Sequence, residues 1–173
     1  ELYELLIRQS FGDEADAVKA PEILVNEGGA FHVLGAIASM KLDAAIPTAS
    51  TVVACVGDAL VELSRDRAPE VARGATREVL DWIRRRGGVI TSLDPLAWTH
   101  ETYREFLAAR WIAQRFKPDD AGMLDMAKRA YNEPRLRSVM LFAYSVWASS
   151  SAYRLEHDRS SVAEKVLAHF SEP

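Results

Sequence analysis

Along most of this chain apolar side chains recur at helical spacing, but one stretch departs from it: Gly88-Val89-Ile90-Thr91-Ser92-Leu93-Asp94-Pro95-Leu96-Ala97-Trp98-Thr99. β-Favouring residues lie on both sides of an Asp-Pro turn signal, and a run of that kind reads as a small two-stranded hairpin. Whatever fold the chain adopts must place this ribbon between helices on either side.

Before the hairpin, Leu2, Leu5 and Leu6 share one face of a helix over 1–9, and Pro21 opens a short helical turn. Gly28-Gly29 separates that turn from a helix over 29–41, whose apolar stripe is Phe31, Leu34, Ile37 and Ala38. A helix over 50–63 repeats the pattern with Val53, Val56, Leu60 and Leu63. Pro69 punctuates the chain, and 75–86 carries Val79, Leu80, Trp82 and Ile83 before Gly87-Gly88 ends that helix. After the hairpin, Thr99 is placed to cap a helix over 100–116, with Glu101 complementing the positive N-terminal dipole. Tyr103, Phe106, Leu107, Trp111 and Gln114 mark one side of this helix, and Ala108, Ala109, Ile112, Ala113 and Phe116 another, so it is expected to be central and buried. Lys117-Pro118-Asp119-Asp120 breaks the chain with a natural N-cap, and further helices are expected over 121–131, 134–149 and 160–170.

Three helices, a hairpin and a helix follow one another in the order of a winged-helix module, the hairpin being the wing. The expected fold is therefore mainly α. It comprises the end of a preceding helical domain at 1–18, a winged-helix domain with one small β-hairpin at 19–117, and a C-terminal helical segment at 118–173.

Composition narrows the function. The 173 residues carry 21 Lys+Arg against 25 Asp+Glu, a net charge of -4, which argues against a surface built chiefly to neutralise phosphates. The one cysteine, Cys55, excludes an internal disulfide framework and any multi-thiolate metal site. Apolar windows such as 51–56 and 139–147 are too short to cross a bilayer, and no signal-peptide pattern opens the chain, so a cytoplasmic location is expected. The chain begins Glu1-Leu2-Tyr3 without an initiator Met and reads as part of something longer.

The segment Trp98-Thr99-His100-Glu101-Thr102-Tyr103-Arg104-Glu105-Phe106-Leu107-Ala108-Ala109-Arg110 resembles the winged-helix signature of NACHT-type signalling ATPases, relatives of the NOD-like receptors in the STAND class. The family pattern is an aromatic residue, any residue, His, a few polar residues, then Glu-aromatic-Leu-Ala-Ala. Arg104 stands where Gln is more usual in the animal proteins. Leu80-Asp81-Trp82-Ile83-Arg84-Arg85-Arg86-Gly87-Gly88-Val89-Ile90 resembles the family's helix running into the first wing strand, and Leu2-Tyr3-Glu4-Leu5-Leu6 the helix that closes the preceding domain. The resemblance spans about 1–116. It implies a nucleotide-sensing, autoinhibitory region in which His100 reaches the β-phosphate of ADP. The nucleotide and its Mg²⁺ would be held mainly by a nucleotide-binding domain of the same parent chain, and this segment alone would bind none. Other protomers become partners on activation, in a signalling or defence pathway. An imidazole at a helix N-terminus suits an anion, being a donor when neutral and a cation when protonated. A histidine that merely bonds local backbone at a helix start is the blander reading of His100.

No G-x-x-x-x-G-K-[ST] occurs, so the chain by itself is not expected to be the ATPase or another enzyme. His100-Glu101-Thr102-Tyr103-Arg104 opens like H-E-x-x-H, but Arg104 takes the second ligand position, so no metal site is expected. Cys55 lies on an apolar helix stripe and reads as an inert thiol; His32 reads as a satisfied, half-buried histidine, and His157 and His169 as solvated. Two alternatives stand beside the NACHT reading. One is a helical protein-protein interaction module with no nucleotide role. The other is a winged-helix DNA-binding regulator using Arg84-Arg85-Arg86 with Arg73 and Arg77, against which stand Glu78, Asp81 and the acidic balance of the chain.

Overall fold

The computed structural model describes residues 5–6, 20–24, 28–42, 47–86, 88–118 and 120–149. These residues are mainly helical, with one two-stranded antiparallel sheet. After a 3-10 turn at Glu22–Leu24 come α1 (Gly29–Ser39), α2 (Ala49–Leu63), α3 (Pro69–Gly74) and α4 (Thr76–Arg86). The hairpin β1 (Ile90–Leu93) and β2 (Leu96–Trp98) follows, then α5 (Glu101–Arg115), α6 (Ala121–Asn132) and α7 (Pro134–Ser149). Of the helices expected over 1–9 and 160–170, the second lies outside the described residues, and of the first only Leu5 and Leu6 lie within them, both helical. His157 and His169 also fall outside.

α1 is the most deeply placed helix: Val33, Leu34, Ile37 and Ala38 are fully buried, and Phe31 and Ala36 nearly so. Burial on this scale is worth about 1.5–3 kcal/mol for each large aliphatic side chain. Gly35 lets α5 approach, because a Cβ there would stand 3.1 Å from the Trp111 Cβ and 3.3 Å from the Leu107 carbonyl oxygen. α5 is central as expected, packing most extensively on α7 and α1. Its small Ala108 and Ala109 are wholly buried with Leu107, which permits this closeness. Trp147 of α7 adds a hydrogen bond from Nε1 to the Ala113 carbonyl at 3.0 Å.

Four local expectations are corrected. In α2 the buried stripe is Val52, Val56, Ala59 and Leu60, whereas Val53 is 48% exposed and Leu63 half-buried; Val56 and Leu60 face the core as expected, with Val52 and Ala59 beside them instead of Val53. Pro69 does more than punctuate: it is the first residue of α3, where its missing N–H costs no hydrogen bond. Thr99 is not the cap of α5. Its N–H donates to the Val89 carbonyl at 2.9 Å, extending the hairpin, and the cap position passes to His100. Phe116 lies just past α5 in extended backbone and is 45% exposed, because the chain leaves the core there.

The hairpin pairs Ile90 with Trp98, Ser92 with Ala97 and Leu93 with Leu96, with a bulge between Ile90 and Ser92. Ile90 and Leu96 point into the core, which seats the ribbon on the helices. The turn is the Asp94-Pro95 dipeptide read from the sequence, and its peptide bond is cis.

Candidate functional site

β2 hands the chain to α5 through Thr99 and His100, and this junction positions the motif. Within the motif Arg104, Phe106, Leu107, Ala108 and Ala109 are buried, whereas His100 is exposed. His100 has extended backbone (φ −136°, ψ 130°), and its carbonyl accepts from the Tyr103 N–H at 3.1 Å. Its side chain makes no capping hydrogen bond. The imidazole stands edge-on to Tyr103, with ring centroids 5.1 Å apart at 86°. The N–H groups of the first turn of a helix lack intrahelical partners, so this ring lies beside a locally positive backbone.

The acid next to His100 is already engaged. Arg104, whose side chain is only 3% exposed, donates to Glu101 Oε1 from Nε at 2.7 Å and from Nη2 at 2.5 Å. Burial pushes the Glu105 carboxyl above its usual range and the Glu101 charge adds to this, while Arg104 and a hydrogen bond with Ser138 oppose it. The motif helix packs against α7, and the His100 ring stays exposed. Among the described residues no group of three or more His, Cys, Asp or Glu side chains is placed to hold a metal ion.

A second polar cluster escaped the sequence reading. His32 of α1, Glu62 of α2, and Trp111 and Arg115 of α5 meet at one point. His32 Nε2 lies 3.3 Å from Glu62 Oε2, Arg115 pairs with the same carboxylate, and the Arg115 guanidinium covers the Trp111 ring. The His32 ring meets Trp111 edge-on at 4.8 Å. Burial lowers the His32 pKa, Arg115 pushes the same way, and Glu62 only partly offsets them. Glu62 and Arg115 stand far from His32 in sequence, so no local motif announces the cluster.

Cys55 is half-buried, and its thiol is pushed up to about 11 by burial, with Asp58 and Glu62 adding to the effect, which fits an inert thiol. Arg73, Arg77, Arg84 and Arg85 are exposed: Arg73 pairs with Asp58 at 3.0 Å, and Arg84 lies 3.8 Å from Asp81. Among the described residues no helix is long and apolar enough to cross a membrane. No protein family, no curated protein and no solved structure matches the chain.

Proposed function

We propose that this chain is the nucleotide-sensing, autoinhibitory winged-helix and helical region of a NACHT-like ATPase switch in signalling or defence. The observation that carries the reading is the division of labour within the motif. Its apolar residues are consumed by the core, while the His100 imidazole stands exposed at the start of α5 without an intramolecular capping bond.

Under this reading the nucleotide-binding domain of the parent chain holds ADP and its Mg²⁺, and His100 donates an N–H to the β-phosphate. The exposed ring fits that role, since the first-turn amides beside it favour an anion. Loss of this contact when ATP replaces ADP would release the winged helix and allow protomers to assemble in the cytoplasm. A switch of this kind works only if the ligand binds the two states with different affinity.

The test is ADP retention by the full-length parent protein, measured as nucleotide released with time after purification. One charge-assisted hydrogen bond is worth about 1.5–3 kcal/mol, so His100→Ala should speed release about tenfold or more and raise spontaneous activation. Unchanged release together with unchanged signalling would defeat the reading. It would favour the helical interaction module.

A further inference from the structure

A groove of about 510 Å³ lies where α2, α3, α4 and β1 converge. Arg73, Arg77 and Arg84 stand on its wall, and Val53, Leu80 and Leu93 supply its apolar surface. We propose that this groove is a docking site for an acidic peptide segment of a partner protein, one that carries aliphatic side chains between its carboxylates.

Charge complementarity selects this occupant. The chain as a whole is acidic at -4, yet the groove sets three arginines against a single acid, Asp81. Among the described residues Arg77 makes no ion pair or hydrogen bond, and the Arg73–Asp58 pair is solvent-exposed on both sides, so it exchanges at little cost. Guanidinium groups recognise carboxylates with paired, planar hydrogen bonds.

The apolar surface selects against a bare polyanion. Val53 is 48% exposed while its neighbours Val52 and Val56 are buried, so it contributes little to the core and is left facing the groove. A phosphate backbone has nothing to place against Val53 and Leu93. Aliphatic side chains of a peptide would fill that surface, and the volume falls within the range of small-ligand clefts, about 300–1,000 Å³.

The test uses the full chain and a fluorescein-labelled peptide of Asp and Glu built around two leucines, followed by fluorescence anisotropy. The same peptide with Asn and Gln for the acids, and a mixed-sequence DNA duplex, serve as comparison probes. Saturable binding of the acidic peptide is expected, weakening with salt and with the amide substitution. Arg77→Glu should lower affinity about tenfold, and Val53→Asp should lower it too, with melting temperatures unchanged. If Arg77→Glu melts early, Arg77→Gln replaces it and should still weaken binding. No saturable binding, or binding indifferent to Arg77, overturns the proposal. Duplex binding tighter than peptide binding and lost with Arg77 overturns it in favour of a nucleic-acid face. The proposal does not rest on the role of His100, and the ADP-retention result leaves it untouched.

Discussion

Arg104 is buried to 3% exposure and spends its guanidinium on Glu101, the residue that follows His100. The pair spans one turn of α5, so the first turn of the motif helix is held by a cation that is itself locked in the core. A buried guanidinium that loses its partner costs more than one replaced by an apolar side chain of similar shape.

Glu101→Ala should therefore destabilise the protein by about 1 kcal/mol, the exposed carboxylate being partly screened by water. Arg104→Met should fall within about 1 kcal/mol of neutral, because it removes the charge together with its need for a partner. Urea unfolding of both variants decides the matter. A larger loss for Arg104→Met than for Glu101→Ala would mean that the guanidinium stabilises by more than its bond to Glu101.

The cluster around His32 predicts a loss of stability in mild acid. The folded protein holds His32 below the ordinary histidine value, first by burial and then by Arg115, with Glu62 of α2 opposing and Trp111 of α5 filling the remaining side. Between the two values the unfolded chain takes up a proton that the folded chain refuses. Stability then rises with pH across that window and is lost as pH falls from about 6.5 toward the lowered folded value. His32→Gln should show a smaller drop in urea midpoint between pH about 7 and 5 than the unsubstituted protein does. Glu133, held below the carboxylate range by hydrogen bonds from Arg129 and Arg135, loses its contribution only in stronger acid and does not confuse the comparison. Equal drops in the two proteins would remove His32 as the cause.

Two glycines separate close packing from helix propensity. A Cβ on Gly29 would stand 2.9 Å from the Leu24 carbonyl oxygen and 3.0 Å from its Cα, backbone atoms that cannot turn aside. Gly29→Ala should cost about 1–3 kcal/mol. Gly122, in the first turn of α6, has nothing within 4 Å of that position, and Gly122→Ala should gain up to about 0.5–1 kcal/mol from helix propensity. Thermal melting of the two variants should move in opposite directions. A neutral Gly29→Ala would mean that the Glu22–Leu24 turn does not press on α1 in solution.

Local pattern alone determined the kinds of element and most of their limits. The Asp94-Pro95 signal marked the hairpin because turn chemistry acts within a few residues, and the helix expected over 134–149 coincides with α7 because Pro134 opens it. His100 was legible as a candidate for the same reason, since its motif is a short contiguous string. Packing decided the rest. Whether Val52 or Val53 of α2 joins Val56 and Leu60 against the core follows from how the helix seats on its neighbours, which periodicity alone does not fix. His32 finding Glu62 and Arg115, and Arg73, Arg77 and Arg84 gathering with Val53 around one groove, follow from how separate helices dock. Nothing in a window of the chain encodes those meetings, because their energies arise only when surfaces distant in sequence exclude water from each other.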